Sequence, residues 1–187
     1  MSALSFEQTL IAQQVVGTAL SNTTVATSLV PAAAKFTLPA NYLQVGTEFR
    51  VKAAGRISTV VTSPGTLSLD IRFGSILVFV GGAMALNTAA QTNTTWLLEL
   101  VLTCQAIGGT TVANLLGAGE WKSRAVIGSP VTGAGGVGSH LLPDTAAAAG
   151  NGFDSTASQV IDLFATWSIA NAANSIRMDQ FSIEAMN

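Results

Sequence analysis

The sequence predicts an all-β fold, an antiparallel two-sheet sandwich of jelly-roll type. Three observations carry that prediction: apolar and polar residues alternate with period two in four separate runs, turn residues punctuate the runs, and helical spacing is nearly absent. In the run 47–53, Phe49, Val51 and Ala53 fall on one side of the chain and Glu48, Arg50 and Lys52 on the other. That is a strand with one wet face. After the turn signal Ser63-Pro64-Gly65, a second run sets Leu67, Leu69, Ile71 and Phe73 against Ser68, Asp70 and Arg72. The two runs read as a hairpin with opposite charges facing across it.

The third run places Trp96, Leu98, Leu100, Leu102 and Cys104 on one face, and its other face, with Leu97 and Val101, is also partly apolar. Such a strand is expected to be covered on both sides, either within the domain or against another subunit. In the fourth run Ile161, Leu163, Ala165, Trp167 and Ile169 alternate with Asp162, Thr166 and Ser168. A last strand, 176–186, switches its apolar set from Ile176 and Met178 to Phe181 and Ile183, which predicts a bulge near Asp179-Gln180. Shorter runs at 15–20, 25–30, 76–80 and 112–127 bring the total to eight or more strands. The predicted core contains Phe49, Val51, Leu69, Ile71, Leu100, Leu163, Ala165 and Trp167. The stretch 129–158, rich in glycine and alanine with Pro130 and Pro143, reads as one long loop. The domain plan is an N-terminal arm, 1–19, followed by a single jelly-roll domain, 20–187, large enough to bury a core without disulfides.

Composition narrows the function. Only 10% of the 187 residues are charged, against roughly 25% in an average soluble protein, and the mean hydropathy is +0.48. A chain with so little charge is expected to have much of its surface covered by neighbours or by a membrane. No stretch offers the roughly 20 apolar residues of a spanning helix: 76–86 is short and holds Gly81 and Gly82, and 96–107 is interrupted by Glu99. Met1–Leu10 has no basic cluster and carries Glu7 ahead of any apolar run, so it does not read as a signal peptide. The expectation is a protein made and assembled in a cytoplasm, without a membrane. A net charge of −2 with eight scattered basic residues predicts no nucleic-acid partner.

Candidate chemistry is sparse, and no catalytic, cofactor-binding or metal-binding residue is assigned. Gly133–Gly138 matches G-x-G-x-x-G, but no strand-to-helix context surrounds it. His140 is the one histidine and falls in the long loop, where a catalytic base would be poorly held. Cys104 lies on the core face of its strand. Asp144, Asp154 and Asp162 supply oxygens, but their spacing fits no calcium loop. Trp96, Trp121 and Trp167 are better read as core than as a sugar platform. The sequons at Asn22 and Asn93 matter only in a secreted protein.

The segment 36–51, Phe-Thr-Leu-Pro-Ala-Asn-Tyr-Leu-Gln-Val-Gly-Thr-Glu-Phe-Arg-Val, followed by Ala54-Gly55-Arg56-Ile57-Ser58, resembles the jelly-roll structural proteins of tailed bacteriophages. Echoes continue in 67–74, in Trp96-Leu97-Leu98-Glu99 with 102–108, and in Ala173-Asn174-Ser175-Ile176. These motifs are strand and turn patterns. The resemblance implies a virion role: a head decoration (cement) protein bound to the major capsid protein, or a carbohydrate- or receptor-binding domain of a tail or fibre. The absence of a long coiled-coil or fibrous region favours decoration, and the lack of a helix-rich pattern argues against the major capsid protein itself. With the apolar composition, it leads to an expected homotrimer. Candidate contact residues are Phe6, Leu10, Ile11, Val15 and Val16 in the arm, expected to anchor to the particle, and Leu97 and Val101 opposite the core face of their strand.

Overall fold

The computed structural model describes residues 7–125, 138–143 and 145–186, and among these residues it is a β-sandwich of twelve strands. The larger sheet holds β1 (Glu7–Ala12), β2 (Leu20–Ser21), β5 (Glu48–Thr59), β8 (Gln91–Ala106), β9 (Asn114–Ser123), β10 (Ser139–Leu142) and β12 (Ser175–Met186). The smaller holds β3 (Thr27–Ser28), β4 (Phe36–Leu38), β6 (Thr66–Phe73), β7 (Ile76–Ala85) and β11 (Gln159–Trp167). The larger sheet runs β1-β12-β5-β8-β9-β10 with β2 also on β12, and the smaller runs β3-β11-β6-β7 with β4 also on β11. Every pairing is antiparallel. Successive stretches of chain cross between the sheets, as a jelly roll requires. The β9-β10 hairpin widens the larger sheet beyond β8.

The inward residues are those that alternation selected. Phe49, Val51, Leu69, Ile71, Leu100, Leu163, Ala165 and Trp167 are each at most 1% exposed. Cys104 and the three tryptophans join the same buried layer. The expected bulge falls between Met178 and Gln180, where β12 slips by one residue against β5.

Several expectations are corrected. The runs in β5 and β6 do not form a hairpin. Both edges of β5 are taken by β12 and β8, while β6 lies in the other sheet between β11 and β7. The link between them crosses the sandwich and is pinned by Asn174, fully buried, which accepts from the Val60 N–H at 2.8 Å and donates to the Pro64 carbonyl at 2.9 Å. The charges of β5 therefore meet Glu99 and Glu184 rather than Asp70 and Arg72.

Within the N-terminal arm, Glu7–Ala12 is not a free segment but an edge strand hydrogen-bonded to β12 of its own chain. The long loop is interrupted by β10, where His140 lies opposite Trp121 and is buried, and by bridges from Ala149 to Leu116 and from Phe153 to Ala113. Phe6, Asp144 and the glycine run 133–137 lie outside the described residues. No element among the described residues covers the outer face of β8 from within the chain: Leu97 is 50% exposed, and Glu99 beside it is also open to water.

Candidate functional site

The two outer faces of the sandwich differ in charge. On the larger sheet, register sets the outward side chains in rows that run across the strands. One row reads Ser182, Lys52, Glu99, Glu120, Leu141; the next reads Gln180, Ala54, Leu97, Lys122, Ser139; a third carries Glu184, Arg50, Val101 and Ala118. The bulge in β12 is what brings Gln180 opposite Ala54. Where small residues meet along the first two rows, the sheet surface is indented by a groove of about 520 Å³, bordered by Lys52, Glu99, Glu120, Lys122, Leu97 and Gln180.

Charges around the groove are answered within the chain. Lys52 Nζ lies 2.9 Å from Glu184, and Arg50 lies between Glu7 at 3.3 Å, Glu184 at 3.6 Å and Glu99 at 3.7 Å. Lys122 Nζ lies 2.7 Å from one oxygen of Glu120, and the Ser139 hydroxyl donates to the other. Hydrogen bonds from Lys122 and Ser139 hold the Glu120 carboxyl below its ordinary value. The same bond holds Lys122 above its own, so it stays an ammonium. Lys122, Glu120 and Ser139 thus form one hydrogen-bonded group on the rim of the groove.

The smaller sheet presents a different surface. Its open positions include Val80, Ala83 and Ala85, and its charged groups are drawn together and largely withdrawn from water. Asp162, 3% exposed, accepts from Ser28 Oγ at 2.7 Å and pairs with Lys35 at 2.6 Å. Arg72, directly opposite Asp162, stacks its guanidinium 4.2 Å from the Phe164 ring centre and lies 3.9 Å from Asp70. Asp70 is 7% exposed, and its Oδ1 has no hydrogen-bond partner. Sequence reasoning missed this cluster. Alternation placed Asp70, Arg72 and Asp162 on an outer face, where solvation is the default expectation.

Burial pushes the Asp70 carboxyl above its ordinary value of 3.8, against the opposing pull of Arg72 and of the Gly81 N–H. The native state therefore takes up this proton before the unfolded chain does, and native stability gains as pH falls through the raised folded value. Above that value the ionised carboxylate is a net cost. Asp70→Asn is expected to stabilise the protein at about pH 7 and to flatten its stability profile down to about pH 4. Unfolding midpoints across that range test this; a variant weaker than the parent at neutral pH would contradict it.

The residues expected to make contacts do not form one patch. Leu10 and Ile11 pack partly against the core, Val15 and Val16 are 50% and 58% exposed in the link after β1, and Val101 is half-buried. Leu97 alone borders the groove. Comparison with family models, curated proteins and solved structures finds no match.

Of the other candidates, burial pushes the Cys104 thiol up. Its Sγ donates to the Ala106 carbonyl at 3.4 Å. Asp154 is occupied by Thr156, which donates to its Oδ1 from the backbone at 2.8 Å and from the hydroxyl at 2.6 Å, so it fastens a turn. Among the described residues no group of three or more His, Cys, Asp or Glu side chains gathers to hold a metal ion.

Proposed function

We propose that this chain is a non-enzymatic structural protein of a virus particle, a decoration or cement subunit that coats a phage head through repeated protein–protein contacts. It acts as a homotrimer seated on the major capsid protein, after assembly in the host cytoplasm, with no role for nucleic acid, membrane or cofactor. The observation that supports the reading most is the outer face of the smaller sheet. Val80, 46% exposed, stands opposite the buried Asp70 among alanine, serine and threonine positions, and the nearby charges are paired or stacked. A sheet face whose charges are paired and largely withdrawn from water in this way favours coverage by a neighbouring subunit. The resemblance of 36–58 to tailed-phage jelly rolls points the same way.

Mass spectrometry of purified particles is expected to find the protein at a fixed copy number relative to the major capsid protein, and sedimentation is expected to give a trimer. A stable 19.1 kDa monomer at micromolar concentration, together with its absence from particles, would overturn the reading. A second reading, a carbohydrate- or receptor-binding module of a tail or fibre, is favoured by the groove on the larger sheet.

A further inference from the structure

The groove carries a pattern that selects one ligand chemistry. Its rim places donors and acceptors side by side: the Lys52 ammonium opposite the Glu99 carboxylate, Glu99 opposite Glu120, and Lys122 beside Glu120. Most of these charges are already answered, Lys52 by Glu184 and Lys122 by Glu120, so a strongly ionic ligand would have to break pairs to gain its own. A ligand with many neutral hydroxyls avoids that cost. Each hydroxyl can donate to a carboxylate and accept from an ammonium or an amide, and each such bond to a charged group is stronger than a neutral one.

The remaining surface suits the apolar side of such a ligand. Ala54 leaves the floor low, and Leu97, half exposed, offers a patch for a C–H face. At about 520 Å³ the space falls within the ordinary range of small-molecule sites, roughly 300–1,000 Å³. The groove stands on paired strands of the sheet, which hold the rim in register.

We propose that this groove is a binding site for a neutral oligosaccharide, with Glu99 and Glu120 accepting from its hydroxyls, Lys52 and Lys122 donating to them, and Leu97 packing against its apolar face. The proposal deepens the second functional reading and rests on it; the decoration reading does not depend on it.

The test is calorimetric titration of the full chain with short neutral hexose oligosaccharides, alongside a sialylated and a glucosamine-based oligosaccharide of similar length. Saturable binding of a neutral sugar is expected, weakened at least about tenfold by Ala54→Trp, which fills the groove, and by Glu99→Ala. Glu99 is 63% exposed at its side chain, so that second variant keeps the test valid if the bulky one does not fold. Neutral-sugar binding unchanged in the folded variants would leave a sugar-binding protein but overturn this site. Binding of the charged glycans alone would overturn the neutral-sugar site and leave a carbohydrate-binding protein, whereas binding of none of these glycans would overturn the site and the carbohydrate-binding reading together.

Discussion

Trp96→Ala is expected to lower the unfolding free energy by about 3–5 kcal/mol, a large part of the 5–15 kcal/mol typical of a whole domain. Trp96 is fully buried in β8 and stands opposite Gly55 of β5. Its indole Nε1 donates to the Arg177 carbonyl at 3.1 Å, beside the bulge in β12. The backbone comes so close here that a Cβ at Gly55 would sit 1.9 Å from the Arg177 oxygen. Gly55 therefore has no side chain to collapse into the space, and truncation leaves both a cavity and a carbonyl stripped of its indole donor. Trp96→Phe keeps most of the volume but not the N–H, and should cost about 1–2 kcal/mol. Urea unfolding of the three proteins separates the two contributions. A loss below about 1 kcal/mol in the alanine variant would mean that the strands close over the gap.

The bulge links this packing to the groove. Without the one-residue slip between Met178 and Gln180, Gln180 would not stand opposite Ala54, and the side of the groove nearest β12 would be built differently. The bulge was legible because Ile176 and Met178 share one parity while Phe181 and Ile183 share the other. The groove itself was not, because it arises from register across β12, β5, β8 and β9. Period two reports which face a side chain occupies, while the strand beside it is chosen by contacts far away in sequence. That is why the buried residues of β5 and β6 were placed correctly and their mutual pairing was not.

The same limit explains another misplacement. β10 is four residues long, too short for its alternation to stand out within the Gly/Ala-rich stretch, so His140 read as a loop residue until β9 supplied its partner. In β8, two apolar faces suggest cover on both sides, and within the chain Leu97 lies beside charged Lys122 on a face open to water.

Lys35→Met is expected to destabilise the protein by about 3 kcal/mol, near the low end for breaking a buried ion pair. Asp162 is the more deeply buried partner, with its side chain 5% exposed against 33% for Lys35, so removing the lysine leaves the costlier charge behind. Ser28 still donates to Asp162, and Arg72 stands directly opposite it, which moderates the loss but replaces no bond at 2.6 Å. Asp162→Asn should cost less than Lys35→Met, because its amide oxygen can keep the Ser28 bond and the partly exposed lysine can turn to water. The double variant is therefore expected to be more stable than Lys35→Met alone, since the uncompensated carboxylate is gone. Unfolding measurements on all four members of this cycle decide the matter. A double variant weaker than Lys35→Met would mean that Asp162 is held by its own hydrogen bonds and not by the lysine.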